Sequence, residues 1–315
     1  MDSYLGMDFG GTKLLIGEVN QRGELLGCKR YKTCLTDQRK MAEQLHSSLL
    51  DYLKTEEIKG TIKGAGLGIV GISDYRTGKW ISATHQEGEG IPLGDMLSRM
   101  LKVPVGIDND VKSATCGEML WGCGKDCSDF IYINAGTGLA AGIVSDGRLI
   151  RGVSNDAGEI GHFVTDRKSS RQCICGRYGC AELTASGIGL HKMAEERISD
   201  ASTGLKKVPR GERYQASEIF ELAAQGDEFC LELTRESAKA LACTVMNLVR
   251  VSDPELVILG GGLLSDTGFF ELMKEYLHPV TMRHVKRGVL RSGFDPAYAG
   301  VIGAAAVGYQ KVRES

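Results

Sequence analysis

The sequence lacks the features that mark membrane-bound, secreted or nucleic-acid-binding chains. Its 315 residues carry a net charge of −2, so the composition provides no general attraction to nucleic acid or to an anionic membrane. No apolar run approaches the ~18–20 residues that a membrane-spanning helix needs. The N-terminus enters a strand pattern at Tyr4 without the charged and apolar regions of a signal peptide. We therefore predict a cytoplasmic protein with no nucleic-acid partner and no membrane partner.

A disulfide framework is also lacking, although the chain contains ten cysteines. Three of them cluster in one loop, and others such as Cys28, Cys116 and Cys243 are scattered singly, which is typical of reduced thiols. Glycine, in contrast, occurs 42 times, mainly in turns between apolar runs, where the backbone approaches something closely or adopts a positive φ. A chain of this length can form one large domain or two medium ones.

The densest group of metal-ligating side chains lies in the middle of the chain. Cys173, Cys175 and Cys180 follow the spacing Cys-x-Cys-x4-Cys, and His162 lies 11 residues before the first of them. Zn²⁺ prefers four thiolate or imidazole ligands in a closed tetrahedron, and this group supplies that number. A disulfide loop is the alternative. It fits poorly, because three cysteines cannot all pair and a bridge between cysteines two residues apart is strained. We predict a structural zinc site that holds neighbouring carboxylates in place.

Two hairpins of the same kind occur in the two halves of the chain, each with a Gly-Thr turn and a third strand after it. The turns consist of Gly10, Gly11, Thr12 and Lys13 in the first hairpin and of Gly136, Thr137 and Gly138 in the second. Such turns offer N–H groups and a hydroxyl to phosphate oxygens, and Asp8 can hold Mg²⁺ through water. An ordinary hairpin also uses Gly-Gly, and the Walker A spacing is absent. The repeat nevertheless predicts a duplicated fold with two phosphate-binding turns and a nucleotide in the cleft between two domains.

Two further glycine clusters follow predicted strands. Residues 66–71 match the dinucleotide pattern Gly-x-Gly-x-x-Gly, but residues 73–78 form a turn where that pattern needs a helix, so we reject a dinucleotide site. Gly260, Gly261 and Gly262 follow the strand 255–259 and would let a flat ligand such as adenine lie against the backbone. A plain strand–helix turn is the alternative for this second cluster.

A polar cluster, Asp108-Asn109-Asp110, ends a short strand at 103–107 and begins a helical stretch at 111–121. Proteins of the α/β class place catalytic groups at such strand ends. Capping of the helix by Asn109 or Asp110 explains the cluster equally well. Apolar periodicity predicts further helices at 38–54, 217–225, 229–251 and 300–312.

Taken together, these motifs resemble the ROK family of actin-like sugar kinases over nearly the whole chain. The resemblance implies an α/β fold of two RNase H-like (actin-like ATPase) domains around a central cleft, in a homodimer or homotetramer. The first domain would bind sugar and span 1–118, completed by a C-terminal helix at about 300–315. The second would bind nucleotide and span 119–299, including the zinc loop. Repressors of this family carry an N-terminal winged-helix domain, for which the position of Asp8 leaves no room, so we expect a kinase.

The resemblance implies ATP-dependent phosphorylation of a hydroxyl of a hexose or hexose derivative, with Mg²⁺ and a structural Zn²⁺. Asp110 matches the catalytic base of the family. The residues that match sugar-hydroxyl ligands are Asn109, Glu159, His162 and Glu182. The residues that match the zinc ligands are His162, Cys173, Cys175 and Cys180. The nucleotide side is matched by Asp8, Gly10, Gly11, Thr12 and Lys13, by Gly136, Thr137 and Gly138, and by Gly260, Gly261 and Gly262.

The sequence departs from the family pattern mainly on the sugar side. Val70-Gly71 stands in place of Pro-Gly, and Thr84-His85 in place of a Pro-Asn whose Asn reads sugar hydroxyls. An acidic, glycine-rich loop follows at 86–90, and Lys112 occupies the place of a small residue or Asn. Because a buried polar group left unpaired by the wrong substrate costs affinity, these changes can redirect specificity. We therefore include His85 among the candidate substrate ligands. A kinase for an amino sugar, a polyol or a non-glucose hexose is one alternative, and a non-catalytic sugar-binding ROK protein is another.

Overall fold

The chain is divided into two compact units, each of which contains its own β-sheet. The structure is a computed structural model that describes residues 1–33, 37–83 and 90–314. Unit 1 consists of Met1–Asp126, Leu149–Ala157 and Gly293–Ser315, and unit 2 consists of Cys127–Arg148 and Gly158–Ser292. The segment 149–157 thus returns to unit 1 from within unit 2, which nothing in the sequence indicated. The assignment of sugar binding and nucleotide binding to separate domains stays a prediction.

The described residues form both strands and helices. The strands are β1 (Asp2–Phe9), β2 (Lys13–Asn20), β3 (Leu25–Lys32), β4 (Thr61–Ile69), β5 (Ile72–Asp74), β6 (Lys79–Ser82), β7 (Val105–Asn109), β8 (Phe130–Ala135), β9 (Leu139–Ser145), β10 (Arg148–Leu149), β11 (Leu256–Gly260) and β12 (Val289–Arg291). The α-helices are α1 (Gln38–Thr55), α2 (Leu93–Leu101), α3 (Asp110–Leu120), α4 (Glu182–Ala185), α5 (Gly187–Arg197), α6 (Ala216–Ala224), α7 (Glu228–Ser252), α8 (Thr267–Glu275), α9 (Pro279–Met282) and α10 (Ala299–Glu314).

The two large sheets have the same design. Their strand orders are β3-β2-β1-β4-β7 and β10-β9-β8-β11-β12. In each sheet the hairpin strands, β1 with β2 and β8 with β9, are antiparallel. The strands that come later in the chain, β4 and β7 in one sheet and β11 and β12 in the other, are added in parallel. The predicted duplication of an α/β unit is therefore confirmed.

The helices predicted from apolar periodicity are present as α1, α6, α7 and α10. Side chains at the N-terminus determine where two of them begin: Asp37 accepts from the N–H groups of Arg39 and Lys40 at the start of α1, and Asp227 accepts from that of Cys230 in α7. In the part of the chain that the structure describes, no helix is both long and apolar enough to cross a membrane.

Helix α10 packs on the sheet of unit 1 at very short range, because glycine lines the contact. A Cβ on Gly6 would collide with the carbonyl oxygen of Val301, and a Cβ on Gly66 with that of Ala304. Gly66 is the first glycine of the Gly-x-Gly-x-x-Gly pattern, and the antiparallel hairpin of β5 and β6 follows it instead of a helix. This glycine therefore serves helix packing, and the turn predicted after the pattern in place of a helix is confirmed.

Candidate active site and metal centre

The structure distributes the predicted site residues over both units. In unit 1 these are Asp8, Gly10, Gly11, Thr12, Lys13, Asn109 and Asp110. In unit 2 these are Gly136, Thr137, Gly138, Glu159, His162, Cys173, Cys175, Cys180, Glu182, Gly260, Gly261 and Gly262. His85 lies outside the described residues, so its role as a substrate ligand stays a prediction.

The first glycine turn, Gly10 to Lys13, connects β1 to β2 and is closed by a hydrogen bond from the Gly10 N–H to the Lys13 carbonyl at 2.9 Å. Thr33, next to the end of β3, donates its hydroxyl to the Gly10 carbonyl at 3.0 Å and its N–H to the Thr12 carbonyl at 3.2 Å. The carbonyls of Gly10, Thr12 and Lys13 therefore accept hydrogen bonds within unit 1, while Thr12 itself is exposed. This arrangement keeps the turn accessible to an anion.

Asp8 and Asp110 are brought together by strand register and by one missing side chain. Asp8 of β1 is paired with Gly68 of β4, and Gly68 is paired with Asp108 of β7. A Cβ on Gly68 would lie 3.2 Å from Ser113 and 3.7 Å from the Cα of Asp110. Because Gly68 carries no side chain, the first turn of α3 packs directly over β4, beside the strand that carries Asp8.

The charge of the Asp110 carboxylate acts on the Asp8 carboxyl group. Burial raises the pKa of Asp8 to about 6; the charge of Asp110 adds to the rise, and that of Lys13 opposes it. The ammonium of Lys13 lies 3.9 Å from Asp8 Oδ2. Burial likewise raises the pKa of Asp110, against the N–H of Val111 and the charge of Lys112, which lower it. Two carboxylates beside a lysine are a donor set that suits Mg²⁺ carrying a polyphosphate.

Asn109 caps helix α3, as the alternative interpretation of the polar cluster required. Its Oδ1 accepts from the N–H groups of Val111 at 3.0 Å and Lys112 at 3.4 Å, and its Nδ2 donates to the Gly71 carbonyl at 3.3 Å. Asp110 Oδ1 also accepts from Val111 at 2.9 Å. The capping role of Asn109 is therefore confirmed, and its contact with a sugar stays a prediction.

The second glycine turn, Gly136 to Gly138, connects β8 to β9 and is closed by a hydrogen bond from the Gly136 N–H to the Gly138 carbonyl at 3.0 Å. The start of α5 holds it from behind, because Gly187 donates to the Gly136 carbonyl at 2.8 Å and Ile188 to the Thr137 carbonyl at 3.1 Å. Its position is thus set by backbone contacts from a neighbouring helix.

The triple glycine lies beside this second turn in unit 2. Gly260 of β11 is paired with Asn134 of β8, which places Gly261 and Gly262 next to the residues that follow Asn134. Gly261 has φ +92°, and a Cβ there would lie 2.5 Å from the carbonyl of Ala135, so only glycine fits. A Cβ on Gly262 would meet nothing within 4 Å. The second turn and the triple glycine form one glycine-lined surface, which is what a nucleotide site needs.

The four predicted metal ligands converge. Their ligand atoms all lie within 4.8 Å of one another. His162 Nδ1 is 3.4 Å from Cys173 Sγ, and Cys175 Sγ is 3.6 Å from Cys180 Sγ. In a tetrahedral zinc site these separations are about 3.6 Å between nitrogen and sulfur and about 3.8 Å between two sulfurs. A disulfide would require about 2.05 Å. The geometry therefore fits Zn²⁺ and contradicts the disulfide alternative for Cys175 and Cys180.

Glu182 links this zinc loop (residues 158–182) to the second glycine turn. It begins α4 two residues after Cys180, and its Oε2 accepts from the N–H of Leu139 at 3.2 Å. A Cβ on Gly138 would lie 2.9 Å from the same oxygen, so the turn approaches the carboxylate closely. The sequence suggested only a sugar contact for Glu182. The structure adds the hydrogen bond that Glu182 accepts from the backbone N–H of Leu139, the residue that follows the turn.

Asp108 is the site-adjacent residue that the sequence analysis left without a role. It is fully buried at the end of β7 and pairs with Arg151 at 2.9 Å. A charged residue at the end of an apolar strand needs a buried partner. This requirement was the sign in the sequence that Asp108 has a role. The sequence could not identify the partner, because Arg151 is 43 positions away.

Comparison with known proteins shows what this arrangement is similar to. The chain matches the model of the ROK family over residues 4–311. A glucokinase of Halalkalibacterium halodurans is 30% identical over 267 residues, covering 82% of this chain and 80% of that protein. A xylose repressor of Caldicellulosiruptor bescii is 31% identical over 288 residues, covering 88% of this chain and 69% of that protein.

Among solved structures, a ROK family glucokinase from Streptomyces griseus in complex with glucose and AMPPNP has a TM-score of 0.78 at 26% identity. The match covers 98% of this chain and 99% of that one. The predicted actin-like α/β fold is confirmed, and the relatives include both kinases and a repressor.

Proposed function

This chain belongs to the ROK family, and on that premise we propose that it transfers the γ-phosphoryl group of ATP to a hydroxyl of a hexose or hexose derivative. The observation that carries the proposal is the placement of Asp8 and Asp110 beside the first glycine turn by the register of β1, β4 and β7 and by the missing side chain of Gly68. A repressor needs neither a base nor phosphate-binding turns. The kinase names of two relatives support the same choice.

In the proposed reaction Asp110 acts as the general base. Its carboxylate accepts the proton of the acceptor hydroxyl while that oxygen bonds to the γ-phosphorus and the bond to the ADP oxygen breaks. Burial raises the pKa of Asp110, which makes it a stronger proton acceptor than an exposed aspartate. At the first turn Asp8 would hold Mg²⁺ and Lys13 would hold phosphate oxygens. Bound Mg²⁺ would neutralise the charge that develops on the phosphates.

The zinc loop supplies the proposed sugar ligands of unit 2, which are Glu159, His162 and Glu182. Zn²⁺ would be held by His162 Nδ1 and the three thiols. Because Nδ1 faces Cys173, Nε2 is the ring nitrogen left to donate to a sugar hydroxyl, and metal binding at Nδ1 fixes that tautomer. A metal bound at Nδ1 would therefore set the direction in which the His162 ring donates its hydrogen bond.

The test of the proposal is ADP release measured against a panel of hexoses, amino sugars, N-acetyl sugars and polyols. Activity with one acceptor that disappears in Asp110→Asn identifies a kinase and its substrate. The panel also separates the alternatives, because activity confined to an amino sugar or a polyol supports an atypical acceptor. A zinc-loaded protein that binds sugar and ATP but releases no ADP with any acceptor contradicts the kinase and supports a non-catalytic sugar-binding protein. The predicted homodimer or homotetramer stays a prediction.

Binding of the Mg²⁺–nucleotide complex is expected to weaken below about pH 6. The pKa of Asp8 is raised to about 6, so a proton increasingly occupies the carboxylate that Mg²⁺ needs as the pH falls through this value. Each further pH unit would lower the affinity by up to about tenfold. Calorimetric titration with Mg²⁺–AMPPNP from pH 5 to 8 measures this dependence, with Asp8→Asn as the variant that should lose it. The same slope in both proteins would contradict the assignment of Asp8.

Replacement of His85 by alanine is expected to raise KM for the true acceptor far more than KM for ATP. His85 stands where the family has an Asn that reads sugar hydroxyls, so its loss would leave an acceptor hydroxyl unpaired. Steady-state kinetics with each substrate varied in turn measure both constants. An equal rise in the two constants would count against His85 as an acceptor ligand.

A further inference from the structure

A second cluster in unit 1, which we call the Asp108 clamp (Asp108, Arg151 and Asn155), is centred on a residue two positions before the proposed base. Asp108 Oδ2 accepts from Arg151 Nε at 3.0 Å and from Arg151 Nη2 at 2.9 Å. Asp108 Oδ1 accepts from Asn155 Nδ2 at 3.0 Å and from the Asn109 N–H at 2.9 Å. Both oxygens of this fully buried carboxylate are thus held by two donors each.

The clamp connects three parts of unit 1 that are distant in sequence. Arg151 and Asn155 belong to the segment 149–157, and Asp108 belongs to β7. Asn155 Nδ2 also donates to the Ser73 carbonyl at 3.0 Å, and the Arg151 guanidinium carbon lies 4.3 Å from the centre of the Tyr75 ring. Ser73 belongs to β5 and Tyr75 follows that strand, so the hairpin of β5 and β6 is fixed to the same carboxylate.

The Asn155 side chain carries one local cost. Its φ is +57°, a left-handed value at which asparagine is enriched over other residues apart from glycine. Its Oδ1 is buried and has no hydrogen-bond partner among the described residues, because Nδ2 must face the acceptors on Ser73 and Asp108. A buried polar group without a partner costs free energy, and such a group persists where the surrounding structure holds a functional geometry in place.

The clamp acts on the base through the backbone. Asp108, Asn109 and Asp110 are consecutive, and no flexible residue separates the clamped carboxylate from the base. Asn109 is held on both sides, by its N–H to Asp108 and by its side chain at the start of α3. A displacement of Asp108 would therefore be passed on to Asp110. A misplacement of a catalytic group by about 1 Å can cost about 100-fold in rate.

We propose that Arg151 and Asn155 are positioning residues that fix the direction of the Asp110 carboxylate by holding Asp108 from two sides. The proposal rests on the proposed function, since it concerns the base of that reaction. Neither residue needs to touch substrate. The segment 149–157 would therefore be part of the catalytic framework of unit 1, although in sequence it lies between two segments of unit 2.

Two conservative variants test the proposal. Arg151→Lys keeps the positive charge but cannot place two nitrogens on Asp108 Oδ2. Asn155→Gly keeps access to the positive φ but removes Nδ2. Each is expected to lower kcat by about 10- to 100-fold, while KM for ATP changes by less than about twofold, because a misdirected base affects the transition state rather than nucleotide binding. The matched control is Arg197→Lys. Arg197 in unit 2 also places two nitrogens on a carboxylate, that of Glu236, and lysine cannot do so. This control should leave kcat unchanged.

Hydrogen–deuterium exchange supplies a readout that does not depend on activity. Peptides that cover residues 105–115 should exchange faster in Arg151→Lys and Asn155→Gly than in the wild type. The reason is that the acceptors of the Asn109 and Val111 amides would no longer be held in fixed positions. Exchange of the same peptides should be unchanged in Arg197→Lys. Wild-type kcat with unchanged exchange would overturn the proposal and leave the proposed function standing. A lower unfolding temperature with full kcat would overturn it as well, since the residues would then be merely structural. If the wild type phosphorylates no acceptor, the proposed function fails, and the exchange data alone decide whether the clamp fixes the 108–110 backbone.

Discussion

Replacement of Asp110 by asparagine is expected to lower kcat for sugar phosphorylation by about 10²- to 10⁴-fold, the range that a general base contributes. Asparagine has almost the same shape, and its carbonyl can still accept from the Val111 N–H that Asp110 Oδ1 now engages at 2.9 Å. The fold and the start of α3 should therefore survive while the proton acceptor is lost. KM for both substrates should change little, because the interaction removed is made mainly in the transition state.

The folded state of this variant should be at least as stable as that of the wild type. Burial raises the pKa of Asp110, which means that the charged carboxylate is unfavourable in the folded protein above that pKa. A neutral amide removes that cost. The matched control is Asp95→Asn in the exposed first turn of α2, which should retain full activity. A residual kcat above about one tenth of the wild-type value would exclude Asp110 as the base.

The second large effect is expected from the metal centre. Cys175→Ser should lower the zinc content and should reduce kcat/KM for the sugar by at least about 10- to 100-fold, the cost of disturbing the surroundings of a metal ligand. Cys175 is the exposed member of the group, whereas Cys173 and Cys180 are buried, so this substitution removes a ligand without opening the interior. Residues 158–185 should become susceptible to proteolysis, because the folding of such a loop depends on the metal.

The weaker binding expected in Cys175→Ser should extend from the sugar to the nucleotide. Glu182 is two residues from Cys180 and accepts the N–H of Leu139 beside the second glycine turn, so disorder in the zinc loop should raise KM for ATP as well as KM for the sugar. Metal analysis, two-substrate kinetics and limited proteolysis of chelated protein, of Cys175→Ser and of the control Cys243→Ser test this expectation. Cys243 is a half-buried thiol of α7 outside the loop, and its substitution should have no effect. Full activity in zinc-free protein would rule out a positioning role for the metal.

Features that depend on near neighbours in the sequence could be predicted. The 3.6-residue period of the apolar positions indicated α1 and α7, and the repeated strand–turn–strand pattern indicated two sheets of one design. The convergence of the candidate metal ligands was also predictable, because Cys173, Cys175 and Cys180 lie within eight positions of the sequence.

Features that depend on distant contacts could not be predicted from the sequence. Arg151 and Asn155 are 43 and 47 positions from Asp108, and an arginine in a polar loop carries no local sign of its partner. The same limit applies to Gly66, whose pattern suggested a ligand although its neighbour is the backbone of α10. The bond of Glu182 to Leu139 across 43 positions was likewise invisible.

The contact of α10 with the sheet of unit 1 has a consequence for biosynthesis. Gly6 and Gly66 leave backbone grooves in β1 and β4 that α10 (Ala299–Glu314) fills, so this core stays incomplete until those residues leave the ribosome. Unit 2 lies between these two parts of the chain, so all of its residues would be available for folding once residue 292 has emerged. Although domains usually fold in the order of their synthesis, here unit 1, whose strand β1 precedes unit 2 in the sequence, would be completed after unit 2. Until then its exposed strands would be the part of the nascent protein that most needs a chaperone.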